Sequence, residues 1–422
     1  DVCRPDRGGG ARPGYLLASR ALVHAGPAGQ CSHCTAATAP PADHSRIAAL
    51  GVRSACWVPI PSPLRQRTAE MPGASTRHGH GRRSCHTVLV SPYQRTGQPM
   101  NAILSTRGLS RIFKVRHRGA MRDLHAVSEL DLDLEPGRTL GIVGESGCGK
   151  TTLNRMLLLL DAPTCGDVLF RGKSAAGLGP AERAEFRRAV QPVFQNPFSS
   201  LDPRMRVGKI IAEPLTIIDG MSRADIDRRV GEVLEAVGLR ASDAKRFPNE
   251  FSGGQRQRIA IARAIAPRPQ VLMLDEPVSS QDISIRAQIL NILKDLQDEH
   301  GLGCVFISHD LATVRFMAHD VIVMYLGRVI ERGTAEAICT QPAHPYTRAL
   351  LAAALPPDPD AAPPDLPPRG EIPSPLDPPA GCPYHTRCGL SFDACRTERP
   401  KMLGAPHGGT AACHLLDPDL AP

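Results

Sequence analysis

The segment Gly144-Glu145-Ser146-Gly147-Cys148-Gly149-Lys150-Thr151 fits the pattern G-x-x-x-x-G-K-[ST]. Thr139 to Val143 precedes it as a buried-strand run, and Leu153 with Met156 to Leu160 follows at helical spacing. A strand that enters a glycine turn and leaves as a helix is the context that gives this pattern meaning. Glycines let successive backbone N–H groups close around phosphate oxygens, and the helix N-terminus adds its positive end. The loop therefore predicts a nucleotide site formed by residues 144–152. Lys150 pairs with β/γ oxygens, the Thr151 hydroxyl ligates Mg²⁺, and Thr152 continues the helix start. A chance glycine turn is the competing reading, and the flanking strand and helix weigh against it.

The surrounding chain supports an α/β fold. Leu130, Leu132 and Leu134 alternate with acids, as in a half-exposed strand. Apolar runs at 168–170, 190–194, 271–274, 304–308 and 321–324 read as further strands, and helical patterns span about 222–237 and 254–266. Strands alternating with helices imply a sheet with parallel strands. This body runs from 100 to 355. Residues 356–380 are a Pro-rich, semi-rigid linker, and residues 381–422 form a small Cys-bearing C-terminal module. Residues 1–99 show no sustained period and are rich in Pro, Gly, Arg and Ser. They read as a disordered arm or as an extension from a misassigned start, since Met100 stands just before the first strand-like run.

Charge divides at the same point. The net charge is +8, and twelve arginines against four acids in 1–99 account for all of it. The remainder is balanced, so it has no global positive field to draw in a nucleic acid. No run approaches the ~18 apolar residues that a bilayer-spanning helix needs.

Two further segments carry chemistry. Val271-Leu-Met-Leu274 ends in Asp275-Glu276, where a buried strand delivers Asp275 to the Mg²⁺ shell and Glu276 to an attacking water. Alone this is a weak signal, but far downstream of a phosphate loop it is a strong one. Phe251-Ser252-Gly253-Gly254-Gln255 opens a helix. An N-cap explains the serine; the glycine pair suggests a second phosphate grip.

Together with Ser308-His309-Asp310, these segments resemble the ATPase of the ABC family, over about residues 100–416. The resemblance implies a P-loop ATPase domain with a helical signature subdomain, working as a head-to-tail pair. Ser252, Gly253, Gly254 and Gln255 then act on the partner's ATP. Gln195 matches the glutamine loop that senses the γ-phosphate, joins the Mg²⁺ shell and touches the permease. His309 matches the switch histidine, and Asp282 the aspartate that links the two sites. Phe113 sits where an aromatic stacks on adenine, with a core position as the alternative. Gln195-Asn-Pro-Phe-Ser-Ser-Leu-Asp-Pro203-Arg204, Asp275-Glu-Pro-Val278-Ser279 and His344-Pro-Tyr-Thr-Arg-Ala349 are similar to the peptide-uptake subclass. That subclass covers dipeptides, oligopeptides, nickel and some other solutes. It implies a bacterial importer subunit, peripheral on the cytoplasmic face of the membrane. The implied partners are two permeases, a second and different ABC ATPase, and a solute-binding protein. Three features depart from the family's habit: Gln281 before Asp282, Pro192 within a strand, and Phe251 for leucine.

Cys382, Cys388, Cys395 and Cys413 follow C-x5-C-x6-C-x17-C. Four thiols suit a [4Fe–4S] cluster or a structural Zn²⁺. The missing C-x2-C pair favours iron–sulfur, as does the subclass resemblance. His385 and His414 are alternative ligands. The rival function is a non-transport ABC ATPase acting on nucleic acid or ribosomes. DNA-repair members carry a long coiled coil between loop and signature, and residues 151–251 hold no sustained heptads. Ribosome-associated members carry two cassettes, and this chain has one.

Overall fold

The computed structural model describes residues 101–195, 200–219, 221–354 and 370–421. The expected extension 1–99, part of the linker (356–369) and Asn196 to Ser199 of the glutamine-loop motif lie outside them. Strands β1 (Leu104–His117), β2 (Ala120–Leu134), β3 (Thr139–Val143), β4 (Cys165–Phe170) and β5 (Lys173–Ser174) come first. They are followed by β6 (Val190–Val193), β7 (Val271–Asp275), β8 (Gly303–Ser308), β9 (Asp320–Tyr325), β10 (Arg328–Thr334), β11 (Leu403–Gly404) and β12 (Thr410–Ala411). The helices are α1 (Lys150–Leu157), α2 (Pro180–Ala189), α3 (Val207–Pro214), α4 (Arg223–Ala236), α5 (Gly253–Ile265), α6 (Ile283–His300), α7 (Leu311–Met317), α8 (Ala335–Thr340), α9 (Pro345–Ala354) and α10 (Asp393–Thr397).

Among the described residues the strands form two sheets, β2-β1-β4-β5 and β11-β12-β10-β9-β3-β8-β7-β6. The centre of the larger sheet, β9 to β6, is parallel as expected. The rest is not. β10 and β12 pair antiparallel, and the smaller sheet is antiparallel throughout. The architecture is thus a mixed α/β fold, with the expected parallel strands at the centre of the larger sheet and antiparallel strands around them.

The parallel strands are apolar at every position because both of their faces are covered. Val271, Met273, Val305, Ile307, Ile322 and Met324 turn toward the smaller sheet and α1. Their alternates Leu272, Leu274, Cys304, Phe306, Val321 and Val323 turn toward α3–α7. Two cores on opposite faces follow from this period of two. Leu130, Leu132 and Leu134 are buried between an exposed Glu129, a half-buried Asp131 and an exposed Asp133, as their alternation predicts. Pro192 lies in β6, the last strand in the sheet order, where a missing ladder N–H is tolerated.

The C-terminal segment joins this sheet. β12 pairs with β10 through Glu331↔Ala411 and Arg332↔Thr410. Glu331 is fully buried there, and its carboxylate accepts from Ala343 N–H at 2.6 Å, His344 N–H at 3.1 Å and His407 Nε2 at 3.0 Å. The motif at 344–349 thus has a physical basis: one carboxylate ties β10, the start of α9 and the C-terminal segment together.

Within that knot, His344 Nδ1 accepts from Tyr346 N–H at 3.0 Å, so the ring must be neutral. Burial first, and Arg348 second, push its pKa down to about 3 from 6.5. A depressed histidine pKa gives stability that is complete above pH 6.5 and is lost as pH falls toward 3. Over that window the parent loses up to about 1.4 kcal/mol per pH unit from this group. Thermal melts between pH 7 and 4 will show a shallower pH slope for His344→Asn than for the parent. Equal slopes would remove His344 as the cause.

Candidate nucleotide-hydrolysis site

β3 ends at Val143 and α1 begins at Lys150, so the loop between them opens on a helix N-terminus. Gly149 takes φ 106°, and a side chain there would meet Ala126 O at 2.2 Å, so only glycine fits. Lys150 is buried at 7% exposure, and its ammonium donates to Gly144 O at 2.6 Å and Glu145 O at 3.0 Å. The lysine therefore folds back along the loop. Ser146, Gly147 and Thr151 stay exposed, Thr152 is half-buried, and Cys148 is buried with its thiol pushed up by burial.

Asp275 ends β7 and is buried. Its carboxylate accepts from Asn154 Nδ2 at 3.0 Å, a contact that sequence reasoning missed. Burial, then the neighbouring Glu276 charge, raise the Asp275 pKa, while Asn154 and Lys150 pull it back. A buried carboxyl short of compensation suits a divalent cation, which restores the charged form. The donor set of Thr151 and Asp275 beside Lys150 thus fits Mg²⁺ and a polyphosphate.

Glu276 is where the catalytic expectations meet. Its backbone sits at φ 45°, a left-handed conformation rare for non-glycine residues, and its N–H donates to Ile307 O at 3.0 Å. The turn aims its carboxylate away from β7. Gln195 Nε2 donates to one oxygen at 2.7 Å, and His309 Nδ1 lies 3.3 Å from the other. Gln195 follows β6, and His309 lies between β8 and α7. Asp310 fixes the histidine's loop: it caps α7 by accepting from Ala312 N–H at 3.0 Å, and its own N–H donates to Ser308 Oγ at 3.0 Å. Side chains that follow two neighbouring strands therefore converge on the carboxylate that follows a third, which is the arrangement expected of a base that orients water.

The signature segment stands apart from this triad. Ser252 precedes α5, and Gln255 Oε1 accepts from Ser252 N–H at 3.3 Å. A side chain at Gly254 would meet Ile285 Cγ2 at 2.1 Å, and one at Gly253 would approach Gln281 Oε1 at 3.5 Å. Close packing against the start of α6 therefore requires glycine at position 254, whatever else the segment binds. Asp282 is the exposed residue before α6, and Arg286 joins that helix to the histidine loop through Asp310 at 3.4 Å. Phe113 is half-buried on β1 rather than in the core, and the Arg111 guanidinium lies 4.6 Å from its ring centre.

The four C-terminal cysteines gather. Cys382, Cys395 and Cys413 are buried, Cys388 is partly so, and Cys382 N–H donates to Cys395 O at 2.9 Å. Burial first, then the other three thiols, push Cys382 up to about 12. Among the described residues, however, no three His, Cys, Asp or Glu side chains stand as a group that could hold a metal ion. The thiols are neighbours without forming a ligand shell. His385 Nδ1 and His414 Nε2 bond to the carbonyls of Cys382 and Glu398, which leaves the other ring nitrogen of each with its lone pair.

Residues 127–279 match the model of the ABC transporter family, and residues 330–395 match that of the oligopeptide/dipeptide transporter C-terminal region. A probable peptide ABC transporter ATP-binding protein, y4tS of Sinorhizobium fredii, is 48% identical over 298 residues, covering 71% of this chain and 84% of the relative. The di/tripeptide transport ATP-binding protein DppF of Pseudomonas aeruginosa is 46% identical over 306 residues, covering 72% and 94%. Among solved structures, an ATP-binding cassette described as a dimer in a post-hydrolysis state bound to ADP and Pi superposes with a TM-score of 0.50. It is 28% identical and covers 55% of this chain and 98% of that one.

Proposed function

The chain belongs to the ABC transporter family as an ATP-binding ATPase subunit, and from that premise we propose that it powers the import of peptides or related small solutes through partner permeases. The observation that carries this reading is the pairing, in one chain, of a cassette match with an oligopeptide/dipeptide C-terminal match. The relatives named for peptide or dipeptide transport agree with it over nearly their whole length. Among the described residues no helix is long and apolar enough to cross a membrane.

In this reading residues 144–152 hold the ATP phosphates, with Lys150 as their cation. Thr151 and Asp275 hold Mg²⁺, and Gln195 completes its shell when it leaves Glu276. Glu276 takes the proton of the attacking water, and His309 holds Glu276 and the γ-phosphate in register. Ser252 to Gln255 serve the nucleotide of a second ATPase, and Phe113 stacks on adenine after Arg111 yields. The chain divides into an ATPase domain (100–355), a linker (356–380) and a C-terminal segment (381–422). Cys382, Cys388, Cys395 and Cys413 close around a [4Fe–4S] cluster, or Zn²⁺ in its place. Such a centre would staple a short segment that has few apolar side chains.

One preparation tests these points together: the chain co-expressed with its permeases and sibling ATPase, and purified without oxygen. The expected complex holds two permeases, this chain and a different second ATPase, sits on the cytoplasmic face of the membrane, and hydrolyses ATP faster with a peptide-loaded binding protein. Iron and sulfide are expected in the ratio of a [4Fe–4S] cluster. Two copies of this chain with no sibling would contradict the heteromeric part. Zinc without iron would reject the cluster and keep the site. No metal, with Cys395→Ser leaving thermal stability unchanged, would reject both. ATPase activity indifferent to every peptide would overturn the import reading.

A further inference from the structure

The phosphate loop carries one acidic side chain, Glu145, and it is gripped from the far end of the sequence. Arg387 Nη1 and Nη2 donate to its two carboxylate oxygens at 2.6 and 3.0 Å, a bidentate pair. The arginine side chain is 7% exposed and that of Glu145 25%. Buried tyrosines surround the guanidinium: its carbon lies 5.7 Å from the Tyr384 ring centre and 6.0 Å from that of Tyr325. The Tyr346 hydroxyl lies in the same aromatic group and accepts from Glu145 N–H at 2.8 Å. Tyr346 and Arg387 both belong to residues 330–395, outside the cassette match.

A carboxylate inside a phosphate-binding loop opposes its ligand. Lys150 donates to the backbone carbonyl of the same residue, so Glu145 is part of the loop that presents the cation meant for phosphate. Arg387 cancels that charge. We propose that Arg387 is a positioning residue for ATP binding: by neutralising Glu145 it lets the C-terminal segment set the phosphate affinity of the loop. This rests on the ATPase reading above. It adds that the loop is incomplete as an anion site until the C-terminal segment is docked on it.

Repulsion by an unpaired carboxylate grows with ligand charge, whereas a general loosening of the fold does not distinguish ligands. In the full chain, Arg387→Ala is expected to weaken ATP about tenfold or more, ADP less, and adenosine hardly at all. Arg387→Ala with Glu145→Gln restores ATP affinity, because no charge is left to oppose the phosphates. Glu145→Gln alone tightens ATP, since Arg387 is then an unspent cation beside the loop. Arg387→Lys keeps the charge and loses the fork, and falls between parent and Ala. Titration with ATP, ADP and adenosine, with thermal melts alongside, reads all four variants. A parent that binds no ATP would sink the ATPase reading itself. A parent that binds ATP, with Arg387→Ala losing nothing or losing all three ligands alike without rescue by Glu145→Gln, would overturn the role of Arg387. If Arg387→Ala does not fold, the tightening by Glu145→Gln decides the matter: unchanged or weaker ATP binding rejects it.

Discussion

Glu276→Gln stops ATP turnover in the assembled transporter, slowing it by about 10²–10⁴-fold, and leaves ATP binding intact. The substitution is nearly isosteric, so the loop, Lys150 and Asp275 keep their places. What changes is the proton acceptor. The carboxylate has one oxygen paired with Gln195 Nε2 at 2.7 Å and the other 3.3 Å from His309 Nδ1, and an amide can accept at only one of those atoms. It also cannot take a proton from water. His309→Ala costs less, because the histidine holds the carboxylate without replacing it. The measurement is steady-state hydrolysis by the complex together with equilibrium ATP binding. Turnover at the parental rate with Glu276→Gln would remove Glu276 as the base.

The parts of this site that were legible in the sequence are the local ones. Residues 144–151 specify their own turn through glycine backbone freedom and a helix start, so neighbours hardly matter. Asp275 and Glu276 could be placed because a fully apolar strand that turns to two acids has reached the end of the sheet, where charge meets solvent or ligand. The contacts that complete the site are remote. Glu145 meets Tyr346 across 201 residues and Arg387 across 242, and no spacing encodes that. The left-handed backbone of Glu276 was equally invisible, since a glutamate after an aspartate gives no turn signal. The long β1–β2 hairpin was missed because residues 114–125 are largely polar and mostly exposed, without the alternation that marks a strand against a core. Gly254 carries a remote constraint of the same kind, since a side chain there would meet Ile285 Cγ2 at 2.1 Å.

Lys150→Ala separates binding from chemistry by failing at the earlier step. Lys150 is 7% exposed, and its ammonium is bound by two neutral carbonyls, Gly144 O at 2.6 Å and Glu145 O at 3.0 Å, with Cys148 Sγ at 3.8 Å. Carbonyl dipoles alone are weak compensation for a buried cation, and phosphate oxygens supply the rest. Truncation removes that cation and also the brace across residues 144–150, so the N–H groups of the loop lose their fixed direction. Each charge-assisted bond to phosphate contributes about 1.5–3 kcal/mol. Losing two weakens ATP by at least about 100-fold. Lys150→Arg does not rescue this, because a planar fork cannot reproduce the contacts of a compact ammonium with the two carbonyls and Cys148 Sγ. Titration calorimetry with ATP in the presence of Mg²⁺ gives the affinity, and the same titration with Glu276→Gln gives the control that binds without turnover. Parental affinity in Lys150→Ala would mean that the phosphates sit elsewhere, and the loop would lose its role together with the site built around it.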